Sequence, residues 1–504
     1  MDLVTTLRWA AERTPERVAV AGTGRRLTYR EWDARTDLLA GALHRSGVLP
    51  GDRVVLLMHG GEQLASLHLA LQKLGAVSVP LSTRFGVEEL TYCLGDAAPR
   101  LVVADPAHSD RVVAAGGESL LRLVAEIDAL AERSAEPAGP VAVDETATSV
   151  MLYTSGTTGK PKGVPRTHRA EHSAAVAHVM QTRQRQGVSA LGVMPLFHTM
   201  GLRTLLASII VGGTWVGQPA FDAEESMQLI LDERIGSLYL VPTIYWALLR
   251  TGRLAEARTL DNLAYAGAAM TPSLAEKLVD EVGPASFVNH FGSTEIYTFT
   301  IGPDVAAKPG CAGRAGLFSR VRLIAPDAGA PVDELVKPGE QGQVIVSMDS
   351  MEAFGGYWQR PDANAKSIRE GWYHTGDLAV ADDDGDLWVS GRTDDMINSG
   401  GENVYPDEIE SVLARCPEID DVCVVGLPDE RWGHAVSAFV VPVPGADPMA
   451  TAERAMAFAR ENLPSLKRPK RVIAVDSVPR SGVGKTLRRT LVAGEYESRG
   501  ELRA

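Results

Sequence analysis

Residues Tyr153–Val164 read Tyr-Thr-Ser-Gly-Thr-Thr-Gly-Lys-Pro-Lys-Gly-Val and follow directly on the apolar run Ser149–Leu152. Glycines let backbone N–H groups close on an anion, hydroxyls donate further hydrogen bonds, and lysines supply charge, so the stretch suits a polyphosphate. Thr154, Ser155, Gly156, Thr157, Thr158, Gly159, Lys160 and Lys162 are the candidate phosphate contacts. Taken alone, the same residues would make a Gly/Thr-rich surface turn. A Walker A loop is excluded, because there Gly-Lys is followed by a Ser or Thr that opens a helix. Lys160 instead precedes Pro161, which restricts its neighbour and lacks an N–H.

A second glycine-lysine string, Ser481-Gly482-Val483-Gly484-Lys485-Thr486, follows the apolar run Val472–Val475 and mimics half a Walker A loop. Pro479 stands where the first glycine is required, and only about twenty residues follow, too few for the sheet of a P-loop phosphotransferase.

Further motifs lie in between: MPLFHTMG at Met194–Gly201, YAGAAM at Tyr265–Met270, NHFGSTE at Asn289–Glu295, YHTGDL at Tyr373–Leu378, GRTDDMINSGGENVYPDEIE at Gly391–Glu410 and PRSGVGKTLRR at Pro479–Arg489. In this order, and over nearly the whole chain, they resemble the acyl-adenylate-forming superfamily of acyl- and aryl-CoA synthetases, peptide-synthetase adenylation domains and luciferases. Within it the resemblance leans to benzoate and 4-chlorobenzoate CoA ligases, through MPLFHTMG, YAGAAM, DDMINSGGEN, the stretch Asp429–Gly433 and LKRPKR.

The resemblance implies an ATP- and Mg²⁺-dependent ligase that joins a small, aromatic carboxylic acid to coenzyme A through an acyl-AMP. Lys485 would be the cation where carboxylate and α-phosphate meet, and Glu295 the magnesium ligand. The ATP site would be completed by Asn289, Gly292, Ser293 and Thr294, by Phe291 against the adenine where the family often has tyrosine, and by Gly267 and Ala268 as a flat backbone wall. Asp377 would accept the ribose hydroxyls, assisted by Arg392. His198, Met200, Tyr239, Tyr297 and Thr298 would line the acyl pocket, with His198 orienting the carboxylate and gating the thiol channel. Arg203 either faces a second acidic group or snorkels to solvent. Gly400, Gly401, Trp432, Lys467 and Arg468 would contact CoA. Other acceptors fit the same chemistry: a carrier protein acting in trans, an amine, or an arylamine undergoing diazotisation. A medium-chain acid stays open too.

These residues need a large scaffold. At 504 residues with 45% hydrophobic content, more than one core is expected. A net charge of −14 argues against nucleic acid or an anionic membrane as main partner. The longest apolar stretch, Leu205–Gly217, is too short to span a bilayer, and the first twenty residues lack a signal-peptide pattern. Cys93, Cys311, Cys416 and Cys423 show no metal-ligand spacing, so reduced thiols in a cytoplasmic protein are expected. A homodimer is compatible with all of this.

Helical patterns at Tyr29–Ser46 and Gly61–Leu74 alternate with apolar runs at Arg53–Met58, Ala76–Pro80 and Leu101–Ala104, predicting α/β layers with a largely parallel sheet. Thr83–Gly95 reads as a loop entering a helix, Gly117–Arg133 as a helix and Ser134–Pro140 as a connector. A second α/β run spans about Ala190–Asn289, with a strand near Gly192–Met194 and helices at Leu202–Val211, Ala223–Arg234 and Ile244–Thr251. Gly313–Asp349 predicts a small β-rich, barrel-like subdomain. After Arg392-Thr393-Asp394-Asp395, signals between Asp407 and Val475 suit a separate α+β core. The resemblance sets the boundary there: an N-terminal domain over 1–393, a mobile C-terminal domain over 394–504, and Asp394 as hinge.

Overall fold

The short Val-, Leu- and Ala-rich runs pair into two mainly parallel sheets. The computed structural model describes residues 1–134, 139, 141–154, 160–326, 329–393, 395–399, 402–429, 432–465, 467–480 and 486–503. The first sheet runs in the order Leu121–Leu123, Leu101–Ala104, Arg53–Leu57, Val77–Pro80, Thr148–Thr154, Lys162–Thr167, parallel except for its last, antiparallel pair. Val77–Pro80 and Leu101–Ala104 are buried along their whole length, as expected of parallel strands covered on both faces. The second sheet has nine strands, with Trp215–Gly217, Ala190–Gly192, Ser237–Leu240, Asn262–Tyr265 and Ser286–Phe291 as its parallel centre.

Helices start where the sequence offers a cap. Thr28 and Glu31 form a reciprocal capping box at helix Tyr29–Arg45, and Trp32 on that helix donates to Ser66 Oγ at 2.8 Å inside the core. The expected helix Gly117–Arg133 is only half helix. Gly117 turns the chain tightly against Val112, Leu121–Leu123 joins the sheet edge beside Val102–Ala104, and the helix begins at Val124. The alternating Leu-Arg-Leu explains the difference: it has strand period, not helix period.

Contacts divide the chain into two compact units, residues 1–321 with 346–373, and residues 322–345 with 374–504. In the second, Trp372–Ala381 pairs with Leu387–Arg392 from Asp377↔Arg392 onward, and a six-stranded sheet is built around Gly433–Pro442. Helices Pro406–Leu413 and Pro448–Asn462 pack on that sheet around Ile409, Leu413, Ala455 and Ala459. All four cysteines are buried, and burial pushes the Cys93 thiol up to about 12 and the Cys416 thiol up to about 11. Among the described residues no helix is long and apolar enough to cross a membrane.

Four histidines in the first unit, His68, His168, His178 and His290, are almost wholly buried. Burial lowers His68 to about 3 and His168 to about 4, and drives His178 and His290 well below 6.5. Below pH 6.5 the unfolded chain therefore takes up protons that the native chain refuses. Stability present above 6.5 is lost as pH falls toward 4, at up to about 1.4 kcal/mol per pH unit for each such histidine. Urea unfolding at pH 7 and pH 5.5 should show a large drop in midpoint; equal midpoints would contradict the burial of these rings.

Candidate active site

Of the candidate phosphate contacts, residues 155–159 lie outside the described residues. Thr148–Thr154 and Lys162–Thr167 pair antiparallel with Thr154 opposite Lys162. Lys160 holds its ammonium 5.4 Å from the Tyr92 ring, and Lys162 lies 4.3 Å from the ring of Tyr357.

The segment Asn289–Thr298 leaves strand Ser286–Phe291 and doubles back. At Gly292 a Cβ would come within 2.1 Å of the Tyr297 carbonyl oxygen, so only glycine admits this return. Ser293 N–H donates to Ile296 O at 3.0 Å, and its hydroxyl accepts from Glu295 N–H at 3.2 Å. Glu295 is buried, and its Oε1 accepts from the Tyr357 hydroxyl at 2.7 Å. Phe291 meets Phe299 edge-on, while Asn289 spends its amide on Cys311 O at 3.0 Å. Gly267 and Ala268 sit exposed in the turn after strand Asn262–Tyr265, Gly267 with φ of 86°.

His198 caps helix Thr199–Ile210, its Nδ1 accepting from Met200 N–H at 3.3 Å. That cap sets the helix start three residues before the expected Leu202. Met200, Tyr239, Tyr297 and Thr298 are all buried. Arg203 does not snorkel. Its guanidinium is buried, 3.6 Å from the Glu352 carboxylate, with Nη1 donating to Tyr239 Oη and reaching His290 Nδ1, each at 3.3 Å. A buried guanidinium cannot be left without an opposite charge, and Glu352 supplies it.

Tyr297 packs among charged groups. Its ring lies between two guanidinium groups, 3.7 Å from Arg166 and 5.0 Å from Arg203, and its hydroxyl donates to Glu171 Oε2 at 3.1 Å. Burial first, then the Glu171 carboxylate, hold its phenol well above the ordinary range, so it stays a donor. Arg166 binds Glu171 Oε1 through Nε at 2.5 Å. None of Arg166, Glu171, Glu352, His178, His290 and Tyr357 was singled out above; the one available signal was a charged residue at position 166 of an otherwise uncharged strand interior.

In the second unit Arg392 Nη1 donates to Asp377 Oδ1 at 2.5 Å, and Asp377 N–H donates to Thr375 Oγ1 at 2.9 Å. Thr393 is fastened to Gly376 O by its N–H at 2.8 Å and its hydroxyl at 3.1 Å, and Asp395 pairs with Arg488 at 3.3 Å. Asp394, Gly400, Gly401 and Lys485 lie outside the described residues. Trp432 N–H donates to Asp429 Oδ1 at 3.0 Å, and Lys470 lies 5.1 Å from its ring. Lys467 pairs with Glu408, and Arg468 Nε donates to Leu463 O at 2.8 Å, so both basic residues already have partners on their own unit.

The sequence matches the AMP-binding enzyme family over residues 7–358 and the AMP-binding enzyme C-terminal domain over residues 408–485. A feruloyl-CoA synthase of Amycolatopsis sp is 36% identical, covering 95% of this chain and 96% of its own. A long-chain-fatty-acid–CoA ligase of Mycobacterium tuberculosis is 34% identical (94% and 94%), and a 4-chlorobenzoate–CoA ligase of Arthrobacter sp 32% (96% and 93%). Among solved structures, o-succinylbenzoate CoA synthetase from Bacillus subtilis with its acyl-adenylate intermediate superposes with a TM-score of 0.85 at 27% identity, covering 96% of this chain and 97% of that one.

Proposed function

The chain belongs to the AMP-binding enzyme family, and from that premise we propose that it joins a small aromatic carboxylic acid to coenzyme A through an acyl-AMP. A free carboxylate resists attack because it is negative and would expel oxide. Its oxygen first attacks the α-phosphorus of ATP and pyrophosphate leaves; the CoA thiol then attacks the acyl carbon and AMP leaves.

The observation that supports this best is the Asn289–Thr298 return, which holds the buried Glu295 just beyond strand Ser286–Phe291, the neighbour of the strand Asn262–Tyr265 that leads into the turn of Gly267 and Ala268. Glu295 offers a carboxylate oxygen in a fixed orientation, the hard donor that Mg²⁺ takes, so the residues fit that ion. Held by Glu295, it would neutralise charge on the nucleotide phosphates. Thr154, Lys160 and Lys162 with residues 155–159 would bind those phosphates, Phe291 would stack on adenine, and Asp377 with Arg392 would take the ribose. His198 at its helix cap would orient the carboxylate.

In this reading the boundary at 393/394 is a hinge. Thr393 and Asp395 are each anchored by a side-chain interaction. Rotation there would exchange Lys485, needed for adenylation, for the loop Ser399–Asn403 and its two glycines, through which the pantetheine arm would pass. Trp432, Lys467 and Arg468 would then hold the nucleotide end of CoA, the two basic residues by exchanging their present partners.

Large, buried side chains at Met200 and Tyr239 favour a flat acid over a long chain. Benzoate- or cinnamate-type acids should exceed octanoate in kcat/KM by about tenfold or more, the scale of a few methylene-sized contacts. The fatty-acid relative supports the opposite preference. Pyrophosphate release with benzoates, cinnamates and octanoate, each with and without CoA, separates the two; octanoate as the better substrate would overturn the aryl reading, and turnover independent of CoA the acceptor.

A further inference from the structure

Glu295 is held from both sides by groups that no motif contains. We propose that Arg166 and Tyr357 are positioning residues that aim the Glu295 carboxylate at a nucleotide-bound divalent cation, an inference resting on the reading of Glu295 as the metal ligand.

Arg166 lies on strand Lys162–Thr167, which continues directly from the phosphate hairpin, and its side chain is fully buried. Nη1 donates to three carbonyl oxygens, of Thr294 at 3.2 Å, Glu295 at 3.1 Å and Glu352 at 2.8 Å, while Nε binds Glu171. Only a guanidinium has the planar fork to reach a carboxylate and a row of carbonyls at once; a lysine ammonium covers part of that set. The strand that ends the phosphate loop is thereby tied to the backbone on which Glu295 stands.

The other side is closed by the segment 352–357. Phe354 N–H donates to Glu295 O at 2.9 Å, and Ile296 bridges Ala353 in antiparallel fashion. Three residues on, the Tyr357 hydroxyl donates to Oε1 of Glu295 at 2.7 Å. Oε2 makes no hydrogen bond among the described residues. One carboxylate oxygen is thus steadied by a donor and the other is left as a ligand atom, the division of labour by which outer partners orient a metal ligand. Lys162, stacked on the same Tyr357 ring, brings phosphate-binding charge to the same place.

The test measures metal binding directly. Mn²⁺ is titrated against the full-length protein saturated with a non-hydrolysable ATP analogue and followed by electron paramagnetic resonance, for the parent, Arg166→Lys, Tyr357→Phe and Glu295→Gln. Loss of an outer partner of a metal ligand costs about tenfold to a hundredfold in metal affinity. Both Arg166→Lys and Tyr357→Phe should weaken Mn²⁺ by at least that lower figure while metal-free analogue affinity stays unchanged, and the Mg²⁺ concentration needed for adenylation should rise in step. Tyr357→Phe removes a single hydroxyl and keeps the ring under Lys162, so it decides the matter if Arg166→Lys fails to fold. Mn²⁺ affinity unchanged in folded Tyr357→Phe, with Glu295→Gln weakened, overturns the positioning role alone. Unchanged affinity in Glu295→Gln overturns the metal-ligand reading and the proposal with it.

Discussion

Lys485→Ala lowers acyl-adenylate formation by about a hundredfold or more, the scale for removing a preorganised electrostatic donor, and largely spares thioester formation from a supplied acyl-adenylate. The asymmetry follows from charge. The first half-reaction brings a carboxylate against the α-phosphate of ATP, two anions that repel unless a cation stands between them. In the second, a thiol attacks an activated acyl carbon, and no pair of anions has to meet. Single-turnover measurement of pyrophosphate release and, separately, of thioester formation distinguishes these cases. Equal losses in both steps would show that Lys485 supports structure, or that the two steps share one arrangement of the chain.

Arg203→Met destabilises the protein by about 3–5 kcal/mol, because it leaves Glu352 buried without its partner. Glu352 has no exposed surface, and burial already raises its carboxyl above the ordinary range, with Arg203 and then Arg166 acting against that rise. Glu352→Leu should cost a similar amount by stranding the arginine. The double variant should recover most of the loss, since replacing both members of a buried ion pair by apolar groups is often close to neutral. Urea unfolding of the four proteins gives the coupling directly. Additive losses would mean that the two side chains, though 3.6 Å apart, do not stabilise each other.

The contrast between those two residues shows what could be read from sequence. The alternation of helices with short apolar strands and the membership of motifs in one superfamily were legible, because local composition and spacing carry them. Helix starts were less so: Leu202 marks where apolar periodicity begins, but the helix begins at Thr199 because the His198 ring satisfies a free N–H. Of the charged core, only the charge at position 166 inside strand Lys162–Thr167 gave any signal. Arg166 meets the carbonyl of Glu352 across 186 positions, and Arg203 reaches His290 across 87. Nothing in a linear pattern distinguishes an inward arginine from a solvated one until the sheets place the partners side by side. Tyr297 falls between these cases, expected as a wall of the acyl pocket and found as the aromatic plate between Arg166 and Arg203.

The burial of Cys93, Cys311, Cys416 and Cys423 has a practical corollary for watching this chain at work. Thiol-directed dyes react with exposed thiolates, and buried thiols are slow to take them up. A cysteine placed on an exposed helical site in each unit, such as Met180, 60% exposed, and Glu453, would therefore carry a fluorophore pair without removal of the native four. Energy transfer between the dyes, recorded on single molecules as ATP, acid and CoA are added in turn, would test the proposed rotation about position 394.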